Sequence, residues 1–153
     1  MNELWDNSWL WSLPLITTTV MLHVVVLGAI NAQVVVALQR IHGHRRYLVL
    51  YVTVMGVTTL LATLLHAVEG VIWALAYHEL GALPDMKAAL IYSLSALTTY
   101  GHAELYLARH WQLMGALEAL NGLLLFGLTT AFLYGHVRSM WALESDRPRR
   151  HAH

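Results

Sequence analysis

The sequence predicts an all-α membrane protein with three transmembrane helices and one short re-entrant helix between the second and third. Three observations carry this. Only 12% of residues are charged and 58% are hydrophobic, against roughly 25% charged in ordinary soluble domains. Three long stretches lack charge or nearly so: 14–39, 47–76 and 111–137. A fourth apolar run, Met86 to Leu97, is too short to cross a bilayer, which takes about 20 residues. Three helices are few to enclose a ligand path, so an oligomer is expected.

Residues 1–13 read as an outer segment. Glu3 and Asp6 precede Trp9 and Trp11, with Trp5 between them. A secretory signal has a basic start and a small-residue cleavage site, and neither is present here. Tryptophans beside an apolar run fit an interfacial belt. The first span, 14–39, contains His23, Asn31 and Gln33 but no Lys, Arg, Asp or Glu. Polar residues in a span face other helices.

The turn after it carries Arg40, Arg45 and Arg46 with His42 and His44, which the positive-inside rule places in the cytoplasm. The second span, 47–76, is uncharged until Glu69. His66 and Glu69 are three apart and share a helix face. A carboxylate two turns from the outer end is expensive unless protonated, paired or hydrated. An outer loop follows, in which Pro84 and Asp85 mark a turn and a helix start. The short helix 86–97 ends at Thr98-Thr99-Tyr100-Gly101-His102-Ala103-Glu104. The third span, 111–137, carries Glu118 about two turns in, with Gly115, Gly122, Gly127 and Gly135 along it. Residues 139–153 form a basic tail with Arg147, Arg149 and Arg150. The two basic segments agree on one topology, N-terminus outside and C-terminus cytoplasmic, in a plasma or inner membrane.

The stretch 98–104 resembles the selectivity filter of the tetrameric pore-loop potassium channels, whose usual pattern is T-T-V-G-Y-G-D. Thr98, Thr99 and Gly101 match it; Tyr100, His102, Ala103 and Glu104 replace Val, Tyr, Gly and Asp. The likeness extends over the short helix and the last span, with the second span as outer helix and the first as an addition. It implies a homotetramer in which Thr98, Thr99, Tyr100, Gly101, His102 and Ala103 form the filter, with Glu104 as an acidic ring at the pore mouth. It also implies a gating hinge at Gly122 or Gly127. Ala103 resists the left-handed conformation by about 1–2 kcal/mol, so a weakly selective filter for cations such as K+ or Na+ is expected. Glu69, Glu118, Tyr92 and Ser95 are expected to brace the short helix from behind, with Arg109 as an outer partner of the carboxylates.

The alternative is a metal- or haem-binding redox protein. Glu69 and Glu118 lie at similar depth with His66 one turn deeper, and two carboxylates with an imidazole can hold a metal. His23 and His66 on neighbouring helices are the haem counterpart. The Glu-x-x-His pairs usual in diiron bundles are missing. No nucleophile elbow, P-loop or nucleotide fingerprint occurs, so no enzyme is expected. The formal net charge is zero, and membrane lipids and further copies of the chain are the expected partners, not nucleic acid. With no cysteine, thiolate sites and disulfides are excluded.

Overall fold

The computed structural model describes residues 3–41, 46–101 and 105–145. Its elements are α1 (Glu3–Ile41), α2 (Tyr47–Glu79), α3 (Met86–Leu97), a 3-10 turn (Arg109–Trp111) and α4 (Gln112–Ser145). The described residues contain no strand. Three helices are long and apolar enough to cross a membrane: Asn7–Arg40, Tyr47–Glu79 and Arg109–Trp141.

Two boundaries differ from the sequence reading. α1 begins at Glu3, so the segment expected outside the first span is helical and continuous with it, with Pro14 inside. Proline removes one backbone donor, a tolerable loss where other groups serve the freed carbonyl. α4 runs on to Ser145, past the expected start of the tail at 139. The last residues, 146–153, and the basic-turn residues 42–45 lie outside the described residues.

The packing inverts the pattern of a soluble protein. Leu10, Met21, Val25, Leu48, Val52, Leu60 and Leu123 are exposed, while Ser8, Thr19, His23, Glu69, Ser93, Glu118, Asn121 and Thr129 are buried. In water the apolar side chains would go inside. In lipid they meet a solvent as apolar as themselves, and the polar groups turn to one another. α1 packs against both α2 and α4, and α3 is wedged between α2 and α4 at one end of the bundle.

Two apolar clusters lie at opposite ends of the helices. Trp73, Tyr77, Leu83, Leu107, Trp111 and Met114 surround α3, and Leu27, Ile30, Val34 and Leu65 fill the other end. Polar contacts join the helices between and beyond these clusters. Ser8 donates to the His110 carbonyl, Asn121 donates to Thr19, and Tyr51 donates to the His136 carbonyl. Glu118 and Glu69 sit among these contacts.

α3 is short for reasons that its ends make plain. Asp85 caps its start, its carboxylate accepting from the Ala88 amide at 2.8 Å. At the other end the Tyr100 amide donates to the Ser95 carbonyl and the Thr99 amide to the Ala96 carbonyl. That pair of bonds is the Schellman closure of a helix C-terminus. α2 ends the same way, with Ala82 donating to Tyr77 and Gly81 to His78. Gly81 takes the required positive φ of 63°, whereas in α3 the same position is Thr99 at φ 56°.

Candidate functional site

Two regions hold the residues with chemistry: the turn after α3, and the buried carboxylates between the long helices. The turn is exposed from Thr98 to Gly101. Thr99 is the one non-glycine residue at positive φ among those described, and Gly101 follows at φ 79°. A β-branched residue there is a true outlier, and such strain is held only where surrounding structure imposes it. Here the C-terminal closure of α3 imposes it. A crevice of about 420 Å³ opens beside the turn, lined by Thr99, Gly101, Tyr92, Tyr106, Gly115 and Ala119 among others. Of the sequence-predicted filter, Thr98 to Gly101 are placed by the structure; His102, Ala103 and Glu104 lie outside the described residues.

α3 is held in place mainly through its buried side. The Leu97 backbone lies directly on Gly122, where even a Cβ would collide with the Leu97 carbonyl, and the Tyr92 hydroxyl lies over Gly115 in the same way. Gly122 is therefore a packing contact within an unbroken α4, while Gly127 has open space around it. Ser93 anchors the helix. Its Oγ is 2.8 Å from the Gly70 carbonyl oxygen and 2.5 Å from Glu118 Oε1. The Tyr77 hydroxyl donates to Glu118 Oε2 at 2.6 Å.

Counting protons favours one state of this group. The Ser93 hydroxyl has a single proton, and the Gly70 carbonyl can only accept. With that proton on Gly70, the Glu118 contact needs its proton from the carboxyl. Glu118 is then a neutral acid in a closed chain: Glu118 to Ser93 to Gly70, with Tyr77 serving the other oxygen. A neutral, fully bonded carboxyl is the inexpensive form at full burial.

The other expected braces differ. Ser95 bonds back to the Ile91 carbonyl, Tyr92 packs edge-on against Tyr77, and Arg109 is exposed in the 3-10 turn. Glu69 turns away from α3. Its Oε1 is 2.8 Å from His23 Nδ1 and its Oε2 is 3.2 Å from His66 Nδ1. The Thr129 hydroxyl lies 3.1 Å from Nε2 of both histidines. Four side chains from α1, α2 and α4 thus close a ring. Phe126 stacks on His66 at 4.1 Å between ring centres.

The metal set expected from sequence, His66, Glu69 and Glu118, is not the one assembled. His23, His66 and Glu69 bring ligand-type atoms within 4.8 Å of one another, and both Glu118 oxygens are taken by Tyr77 and Ser93. The two imidazoles share one threonine at a centroid separation of 5.1 Å, rather than standing opposed across a haem-sized gap.

Sequence reading missed Thr129 and the pairing of His23 with Glu69. Thr129 is one threonine among many, and most others bond back to their own helix, as Thr53, Thr58 and Thr63 do. The available signal was coarser: a His in each of the first two spans and one carboxylate in the second.

The class of protein that fold and site define is an all-helical chain with three helices long and apolar enough to cross a membrane and a polar layer buried between them. No protein-family model, curated protein or solved structure matches it.

Proposed function

We propose that the chain is a subunit of a pore-loop cation channel, similar to the potassium channels, with an atypical and weakly selective filter for monovalent cations. The observation that carries this reading is α3. It is a helix of 12 residues set between two span-length helices, fixed by Ser93 and by the Leu97 contact on Gly122, with an exposed turn at its C-terminus. Irregular backbone at membrane depth is tolerated only where protein buries it or water bathes it. The negative end of the α3 dipole favours a cation near that turn. Carbonyl oxygens of the turn can replace part of an ion's hydration shell.

In this reading four copies bring Thr98 to Ala103 to a common axis, with Glu104 at the outer mouth. The N-terminus is outside and the C-terminus is cytoplasmic. Glu118, through Ser93, sets the height and tilt of α3. Gly127, which has free space around it, is the better hinge candidate; Gly122 is committed to α3.

The test is a reversal potential across planar bilayers holding purified protein, with potassium on one side and sodium on the other. A current lost on substitution of Gly101 and altered in ion preference by Thr99→Ala is the expected result. Silence at all voltages, with insertion demonstrated, would sink the proposal.

A further inference from the structure

We infer that His23, His66 and Glu69 form an intramembrane binding site for a divalent transition-metal ion of the zinc type. The inference stands apart from channel activity. It starts from an imbalance in the ring. Glu69 Oε1 has a hydrogen bond from His23. Glu69 Oε2 and His66 Nδ1, both buried, meet at 3.2 Å as an ion-pair contact without hydrogen-bond alignment. A buried polar pair without hydrogen-bond alignment recovers only part of its desolvation cost, and Glu69 is fully buried. An ion between the Nδ1 atoms and the carboxylate satisfies these groups together.

The spacing suits such an ion. Zinc binds nitrogen and oxygen ligands at about 2.0–2.2 Å, which separates neighbouring ligand atoms by about 3–3.5 Å in a tetrahedron. The separation of His66 Nδ1 from Glu69 Oε2, 3.2 Å, falls in that range; that of His23 Nδ1 from Glu69 Oε1, 2.8 Å, opens slightly to admit the ion, and one ligand-type atom of each residue lies within 4.8 Å of the others. Two imidazoles and one carboxylate are ligands that zinc takes readily.

The outer side of the ring fits as well. With both Nδ1 atoms on the metal, both Nε2 atoms carry hydrogen. Each then donates to Thr129 Oγ1, 3.1 Å away, and a hydroxyl oxygen has two lone pairs for the purpose. A hydrogen-bond acceptor behind each ligating histidine is what fixes its tautomer and orientation. Charge also closes. The ion brings +2, Glu69 takes −1, and a hydroxide in the fourth position takes −1. That leaves a neutral site at a depth where net charge is expensive. Phe126, stacked on His66, covers it.

The experiment uses the full chain with His42, His44, His151 and His153 replaced by alanine, which removes the histidines of the turn and tail. The protein is purified in detergent, stripped with chelator and titrated with cobalt(II), whose visible bands report a tetrahedral site. One equivalent of cobalt, displaced by zinc, is expected. Glu69→Gln and His23→Gln should abolish the bands. Thr129→Val should weaken binding about 10–100-fold, and Glu118→Gln should leave it unchanged. X-ray absorption of the zinc form should show imidazole in the first shell, a reading that needs no variant to fold. An oxygen-only shell overturns the inference. So does the lack of a one-equivalent cobalt signal in folded protein, or bands that survive both Glu69→Gln and His23→Gln.

Discussion

Glu118 and Glu69 are both fully buried carboxyls between the same helices, yet their surroundings ask different things of them. Glu118 meets two hydroxyls, Tyr77 and Ser93, and Ser93 donates a hydrogen bond to the Gly70 carbonyl. Every side-chain oxygen in that group has a hydrogen-bond partner. Glu69 meets two imidazoles, each of which can hold or lack a proton, and one of its oxygens has no hydrogen bond. Burial of a carboxyl therefore does not announce a role. Hydroxyl and carbonyl neighbours make a neutral brace, whereas imidazole neighbours with an unfilled contact make a ligand set.

Removing the Glu118 carboxyl should give the largest effect. Glu118→Ala orphans the Tyr77 hydroxyl, takes one of two partners from Ser93 and opens a gap beside α3, so a loss of about 2–5 kcal/mol is expected. Unfolding of the purified protein in mixed detergent micelles measures it. If the loss is no larger than that of an exposed substitution, the brace does not exist.

Gly122→Ala comes next. A methyl forced against the Leu97 backbone should cost about 1–3 kcal/mol. It should also displace α3, read as altered cysteine accessibility of a probe at position 99. A neutral effect would show that α3 is not seated on α4.

Glu118→Gln sharpens the comparison directly. Its amide can donate to Ser93 while its carbonyl accepts from Tyr77, which reproduces the bonding of a neutral acid. Its expected cost is below about 1 kcal/mol. A cost close to that of Glu118→Ala would mean that Glu118 carries a charge, and the contrast with Glu69 would fail.

The smallest effect on stability belongs to the exposed turn. Thr99→Ala removes no buried contact, so a change within about 0.5 kcal/mol is expected. Any change in ion permeability with stability and assembly intact would then be attributable to the turn itself.

Much of the fold was legible because its signals are local. Uncharged runs longer than a bilayer is thick can be read directly, as can Asp85 ahead of a short apolar run. The start of α1 at Glu3 was not. Glu3, Asp6 and the tryptophans read locally as an outer segment ahead of the span, but the chain at Ser8 packs on the turn at His110, a contact between residues far apart in sequence. The resemblance of 98–104 to a channel filter drew attention to the turn, and three of its seven residues fall outside the described segments.

The sequence by itself determined the class of solvent each stretch can tolerate. Charge, length and hydropathy of each run decide that without reference to any other run. Only the tertiary structure decided the partners of each buried polar group. His66 and Glu69 are neighbours by helical spacing. His23 and Thr129 join them from two other helices, at 43 and 63 positions from His66 in the chain. Which helix faces meet is set by how three long helices and one short wedge fill space together, and no single stretch holds that information.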